Sequence, residues 1–263
     1  TAGPFAGLGD NLLEDERVRT GYNALQPTVS TIGTGMLGLT LGCVRCHDHK
    51  YDAIPARDYY GLLSALQSGD RGEVILGPSQ TKVYAFRDAG PQPRPSWLFR
   101  RGDFYDHEKP ITLGFVSILT RDKSPDDYWK QARDSSPLKT STLQRRALAD
   151  WMTDVDQGAG ALVARVIVNR LWQHHFGEAL VRTIGDFGVR SEAPTHPELL
   201  EWLARDLVEH GWKLKRLHRL MMTSAVYQQV SLRPAGGPMT GTDPDNRLLW
   251  RMRPQRLEAE LLR

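Results

Sequence analysis

Apolar positions fall at helical spacing over residues 10–66 and again from residue 135 onward, with a differently textured stretch between them. The run "EDERVRTGYNALQPTVSTIGTGMLGLTLG" is apolar and punctuated by glycine. After it, "PARDYYGLLSALQS" places Tyr59, Leu62, Leu63 and Leu66 on one helical face. From Ser68 to about Asp134, Gly and Pro become frequent, and "KVYAF", "SWLFR" and "ITLGFVSIL" have the aromatic and β-branched content of short strands.

Helices return in "TLQRRALADWMTD" and "ALVARVIVNRLWQHHFG", the second closed by Gly177. "THPELLEWLARDLVEHG" offers Thr195 as N-cap with Glu198 three residues on, Pro197 in the first turn and Gly211 as the stop. "KLKRLHRLMMTSAVYQQ" then completes an antiparallel helical hairpin, and a last helix is expected to begin near Pro254. The predicted fold is mainly α. It has helical segments around a Cys motif (residues 1–70), a small β-containing connector (71–134) and a helical, bundle-like region (135–263) that the chain end cuts short.

Composition narrows the function classes. Across 263 residues, 34 Lys and Arg are interspersed with 31 Asp and Glu, for a formal charge of +3, so no nucleic-acid surface is expected. The longest apolar runs fall well short of the roughly 20 residues a spanning helix needs, so no membrane span is expected. The chain opens at "TAGPFAGLGD" without Met, basic n-region or signal core, and reads as a mature product or an excised fragment. Both cysteines of the chain sit in "LGCVRCHDHKYD", too few for a disulfide framework and three positions apart.

Cys43-Val44-Arg45-Cys46-His47 has the Cys-x-x-Cys-His spacing of c-type haem attachment. Two thiols on one turn reach the two vinyl groups of a porphyrin, and the adjacent imidazole faces the iron, so Cys43 and Cys46 are the candidate anchors and His47 the proximal ligand. A metal site is the first alternative, with zinc or another transition metal held by Cys43, Cys46 and a His, or by His47, Asp48, His49 and Asp52. A structural pair of thiols is the second. Met36, Met152, Met221, Met222, His107, His174 and His175 are all candidates for a sixth ligand, each with an ordinary packing role as its alternative. Arg165, Asn169 and Arg170, with Asp186 downstream, read as a salt-bridge and capping network. Lys213, Lys215, Arg216 and Arg219 read as a solvated helix face.

"LGLTLGCVRCHDHKYDAIPARDYYGLLSALQS" resembles the C-terminal end of the planctomycete cytochrome-associated family known as domain of unknown function 1549. The run from "RRALADWMTD" through "DPDNRLLWRMRPQRLEAELLR" is similar to the first half of its companion, domain of unknown function 1553, and "LFRRGDFYDHEKPITLGFVSIL" to the segment that links them. The resemblance implies a large exported protein whose haem-type motif maps onto Cys43, Cys46 and His47, with the continuation His47 to Lys50 and Asp52. Ala53 and Leu113 stand where the family usually has proline, and "DQGAGALVAR" replaces a common loop type.

Three functional expectations follow. The leading one is a haem c-binding electron-transfer module, periplasmic or otherwise exported, working with a redox partner or with other domains of a longer protein. The second is a metal-dependent enzyme built on His47, Asp48, His49 and Asp52, with polysaccharide-related chemistry suggested by family context. The third is a non-catalytic scaffold.

Overall fold

The computed structural model describes residues 14–78, 80–231 and 241–256 of the chain, which forms two compact units, Thr1–Gly160 and Ala161–Arg263. Among the described residues there are seven α-helices and two antiparallel two-stranded sheets. No helix among these residues is long and apolar enough to cross a membrane.

In the first unit, α1 (Glu14–Ile32) runs through Pro27 and unwinds into a π-helical turn, Gly33–Leu37, closed by Gly38 in the left-handed region. A 3-10 turn, Leu41–Arg45, leads through a loop to α2 (Ala56–Gln67). Then come β1 (Gly69–Leu76) and β2 (Thr81–Asp88), paired in register from Gly69 opposite Asp88 to Leu76 opposite Thr81. The second hairpin joins β3 (Ser96–Phe99) to β4 (His107–Ile111), with a bulge at Leu98 and Phe99. Helices α3 (Pro125–Ser135) and α4 (Gln144–Thr153) complete the unit.

Its core is aromatic. The Phe99 ring meets Tyr22 at 4.9 Å and Tyr60 at 5.3 Å, both edge-on, while Phe115 stacks on Trp151 at 4.9 Å. At the junction of β2 and α4, the nearly buried Asp88 carboxylate accepts from Ser141 Oγ at 2.5 Å, the Thr142 amide at 2.9 Å and Thr142 Oγ1 at 2.8 Å. It also pairs with Arg145 at 3.0 Å. Burial pushes the Asp88 carboxyl up, but these donors together outweigh it and hold it below the ordinary carboxylate range.

The second unit contains most of α5 (Gly160–Phe176), with α6 (Pro197–Glu209) and α7 (Leu214–Met222). Val168, Trp172, Leu203, Leu207, Leu217 and Met221 join in one core. Between α5 and α6 the chain is irregular, and the fully buried Asn169 pins it. Its Nδ2 donates to Val181 O at 2.9 Å, and its Oδ1 accepts from Val181 N at 2.8 Å.

The mainly α expectation is corrected to a mixed α and β fold. "KVYAF" and "SWLFR" do lie in β2 and β3, while the unanticipated strands are β1 and β4; every residue of β4 up to Pro110 is exposed, so no apolar alternation marks it. "ITLGFVSIL" is not a strand. After Ile111 it runs irregularly into a short 3-10 turn, Ser117–Leu119. Helix α3 arises inside the expected connector through a capping box, in which Ser124 Oγ accepts from Asp127 N and the Asp127 carboxylate accepts from Ser124 N, with Pro125 at the first position.

The bundle-like expectation is corrected too, because long irregular segments separate α5 from α6 and follow α7. The N-cap of α6 is His196, not Thr195, whose amide instead donates to Leu180 O at 2.9 Å. Gly211 does stop α6: at φ +68°, where a Cβ is disfavoured, it lets Trp212 N reach back to Leu207 O at 2.8 Å. Helix α7 ends at Met222, well before Gln229. Residues 254–256 are not helical, and the rest of the expected last helix lies outside the described residues.

Candidate functional site

The Cys motif is a 3-10 turn rather than the end of an α-helix, and that geometry sorts its side chains. In a 3-10 helix, positions i and i+3 eclipse one another. Leu41 and Val44 form one such pair and are fully buried, which anchors the turn in the core. Cys43 and Cys46 form the other pair, and Cys46 N still reaches Cys43 O at 3.4 Å, continuing the 3-10 pattern. Both are free thiols exposed to solvent on the side away from the core residues.

Arg45 ties this turn to three elements. Its Nη1 donates to Gln26 Oε1 on α1 at 2.7 Å, and its Nη2 donates to Gly102 O in the β3–β4 turn at 3.2 Å. Its own carbonyl accepts from the Tyr60 hydroxyl on α2 at 2.9 Å. Burial pushes the Tyr60 phenol well above its ordinary range and the neighbouring Tyr59 to about 12, so both remain neutral. Gly102 is required where it stands. It has φ +76°, and a Cβ there would lie 2.9 Å from Cys46 Sγ and 3.3 Å from Arg45 Nε. The Arg101-Gly102-Asp103 turn thus closes against the motif, a contact that the sequence reading did not identify.

The residues after the motif have separate duties. Asp48 Oδ1 accepts the backbone N–H of Ala56 at 2.7 Å, supplying an anion to the first turn of α2. His49 Nδ1 accepts from Asp52 N at 2.9 Å and Tyr51 N at 3.3 Å, which leaves Nε2 as the protonated nitrogen facing Thr40 Oγ1 at 2.9 Å. Asp52 Oδ2 approaches the same Nδ1 at 3.3 Å. His49 N also donates to Ile54 O at 2.9 Å. His47 is exposed, and its Nδ1 lies 2.7 Å from Asp48 O, leaving Nε2 without a partner among the described residues.

The six candidate residues therefore fall into two sets. Cys43, Cys46 and His47 present two thiols and one imidazole nitrogen to solvent. Asp48 and His49 are consumed by the loop, with Asp52 held in it through its amide and its side chain largely buried. Among the described residues no three His, Cys, Asp or Glu side chains are grouped to hold a metal ion.

The sixth-ligand candidates lie on other elements. Met36 sits half-exposed on the π-turn, and His107 on β4 stacks on Trp97 at 5.1 Å and Phe99 at 5.2 Å. Met152 is buried on α4. In the second unit Met221 is core, His174 and Met222 are exposed, and His175 Nε2 lies 2.8 Å from His218 Nδ1. Burial, and then its neighbours His218 and His174, lowers the pKa of His175. The expected network around Asp186 is corrected. Arg165 pairs with Glu201, Asn169 with the Val181 backbone, and Asp186 accepts from Gly188 N at 2.9 Å within its own turn. On α7, Arg216 is bound to Asp206 at 2.8 Å, while Lys213, Lys215 and Arg219 are exposed as expected.

No curated protein and no solved structure matches the chain. Residues 9–71, which contain α1, the motif turn and α2, match the family described as Protein of unknown function (DUF1549). Residues 144–263 match the family described as Protein of unknown function (DUF1553). The chain is thus similar over two separate segments to two families of unknown function, and the motif lies within the first.

Proposed function

We propose that the first unit is a c-type haem-binding module that transfers electrons, in an exported protein of the planctomycete type. The observation that carries this reading is the division of labour around the 3-10 turn. Leu41 and Val44 fix it from below, Asp48 and His49 fix the loop after it, and the two thiols and His47 Nε2 are left free on the outer surface.

The donor set fits the group. Cys43 and Cys46 would hold haem through thioether bonds to its two vinyl carbons, and His47 would supply Nε2 to the iron. A hydrogen bond from Nδ1–H to the Asp48 carbonyl selects the tautomer whose Nε2 lone pair is free. When bound, the haem supplies a one-electron iron couple. Arg45 holds the turn's orientation through Gln26 and Gly102, and the exposure of the motif leaves a short path to a partner. Covalent haem attachment takes place outside the cytoplasm, which is why the reading includes export.

The test is the intact mass of protein produced together with a cytochrome c maturation system. The reading requires a gain of one haem that survives denaturation and is lost in Cys43→Ala/Cys46→Ala. An unmodified mass in folded protein would refute it.

A further inference from the structure

A cavity of about 690 Å³ opens in the first unit between the start of α2, the chain after β4 and the start of α3. That volume lies within the roughly 300–1,000 Å³ usual for small-molecule sites. The haem reading makes no use of it. Its floor is a close approach of backbones. Gly114 N donates to Gly61 O at 3.2 Å, and a Cβ on Gly61 would fall 2.7 Å from Gly114 Cα.

Asp58 is the decisive wall residue. Only 4% of it is exposed, and its Oδ2 accepts from both Ser117 N and Ser117 Oγ at 2.7 Å. Its other oxygen, Oδ1, has no hydrogen-bond partner among the described residues, and the side chain lines the cavity. Oδ1 is not among the buried polar atoms left without a partner, so it is open to the cavity, where a ligand donor can take the place of water.

The same cavity is lined by Arg57 and Lys109, both exposed and without an ion pair among the described residues. Arg121 lines it as well, but is tied by Nη1 to Asp156 O at 2.9 Å. Asp122 and Asp126 complete the charged lining. Lys109, and Arg57 whose charge also attracts Asp58, favour one anionic group on a ligand, the two exterior carboxylates disfavour a second, and Asp58 Oδ1 can accept from a hydroxyl or amino donor.

We propose that this cavity binds a small organic monocarboxylate bearing hydroxyl groups. The ligand carboxylate lies toward Arg57 and Lys109, and a ligand hydroxyl donates to Asp58 Oδ1. The site is independent of the Cys motif and requires no haem.

Isothermal titration of the full chain with D-gluconate tests it, with hexanoate and sorbitol as probes that keep only the carboxylate or only the hydroxyls. Gluconate is expected to bind saturably and at least about tenfold more tightly than either control, the size of one charge-assisted hydrogen bond. Arg57→Gln and Asp58→Asn should each weaken gluconate about tenfold while leaving the thermal transition cooperative. Arg57 is on the surface, so its variant carries the test even if Asp58→Asn fails to fold. Absence of saturable gluconate binding, equal binding of sorbitol, or unchanged affinity in Arg57→Gln overturns the proposal.

Discussion

His49 Nε2 lies 2.9 Å from Thr40 Oγ1, while its Nδ1 accepts the Asp52 amide at 2.9 Å, so both nitrogens of this imidazole are spent on the loop that follows the Cys motif. His47, two residues earlier, is spent on one side only. The two histidines look equivalent in "CHDHK" and are opposite in structural duty.

This difference predicts opposite stability effects. His49→Ala leaves two backbone amides and a threonine hydroxyl without their partner and should cost about 1–3 kcal/mol. His47→Ala should stay within about 0.5 kcal/mol, as exposed substitutions do. Urea denaturation of the two variants without haem checks the ordering; equal losses would contradict it.

The contact between Gly102 and Cys46 predicts a coupled pair. Gly102→Ala places a Cβ at φ +76° and 2.9 Å from Cys46 Sγ, and should cost about 1–3 kcal/mol. Cys46→Ala in the same chain removes the sulfur and should recover part of that loss, leaving only the backbone component. A double-mutant cycle measures the recovery, and strict additivity would show that the two residues do not press on one another.

How much of this was legible beforehand depended on burial. Helices with one buried face, such as α6 with Leu200, Leu203 and Leu207, can be read from apolar spacing, and the stops at Gly177 and Gly211 from the glycines themselves. The exposed strand β4 cannot, because a strand without a buried face has no alternation to display. The Cys-x-x-Cys-His spacing was plain. The 3-10 geometry that turns its thiols outward was not, since it follows from Leu41 and Val44 packing at i and i+3. The roles of Asp48 and His49 depend on partners up to nine residues away, the Thr40 hydroxyl and the Ala56 amide, and no residue spacing encodes those. The Asp58 cavity was invisible for a related reason: Ser117 lies 59 positions from Asp58.

Two buried carboxyls predict opposite pH trends. The Asp88 pKa is depressed, so its stabilisation is present above the ordinary carboxylate pKa and is lost as pH falls through the lower folded value. Asp88→Asn should cost about 3 kcal/mol at neutral pH and much less in acid.

Burial raises the Asp58 pKa, with the Ser117 hydrogen bonds opposing, so its contribution is present below the ordinary carboxylate pKa and is lost as pH rises through the folded value. Asp58→Asn, which keeps an oxygen for Ser117, should therefore raise the melting temperature at neutral pH relative to the parent and lose that advantage in acid. Melting curves from acid to neutral pH read both trends, and parallel behaviour of the two variants would contradict the assignment.

In the second unit, Asn169→Leu should cost about 2–4 kcal/mol, because both Val181 backbone groups lose their partner inside the core. Chemical denaturation of this variant is the check. A loss below about 1 kcal/mol would mean that the segment after α5 finds other partners.

The central claim is that Cys43, Cys46 and His47 form a covalent haem site on an outward-facing 3-10 turn. The pyridine haemochrome spectrum of acid-acetone-extracted protein, made in a periplasmic system with cytochrome c maturation, tests it most directly. The account predicts a c-type band at the position of a haem with both vinyl groups saturated, retained after extraction and lost when both cysteines are replaced. Folded protein that yields no haem band, or only extractable haem, would contradict it.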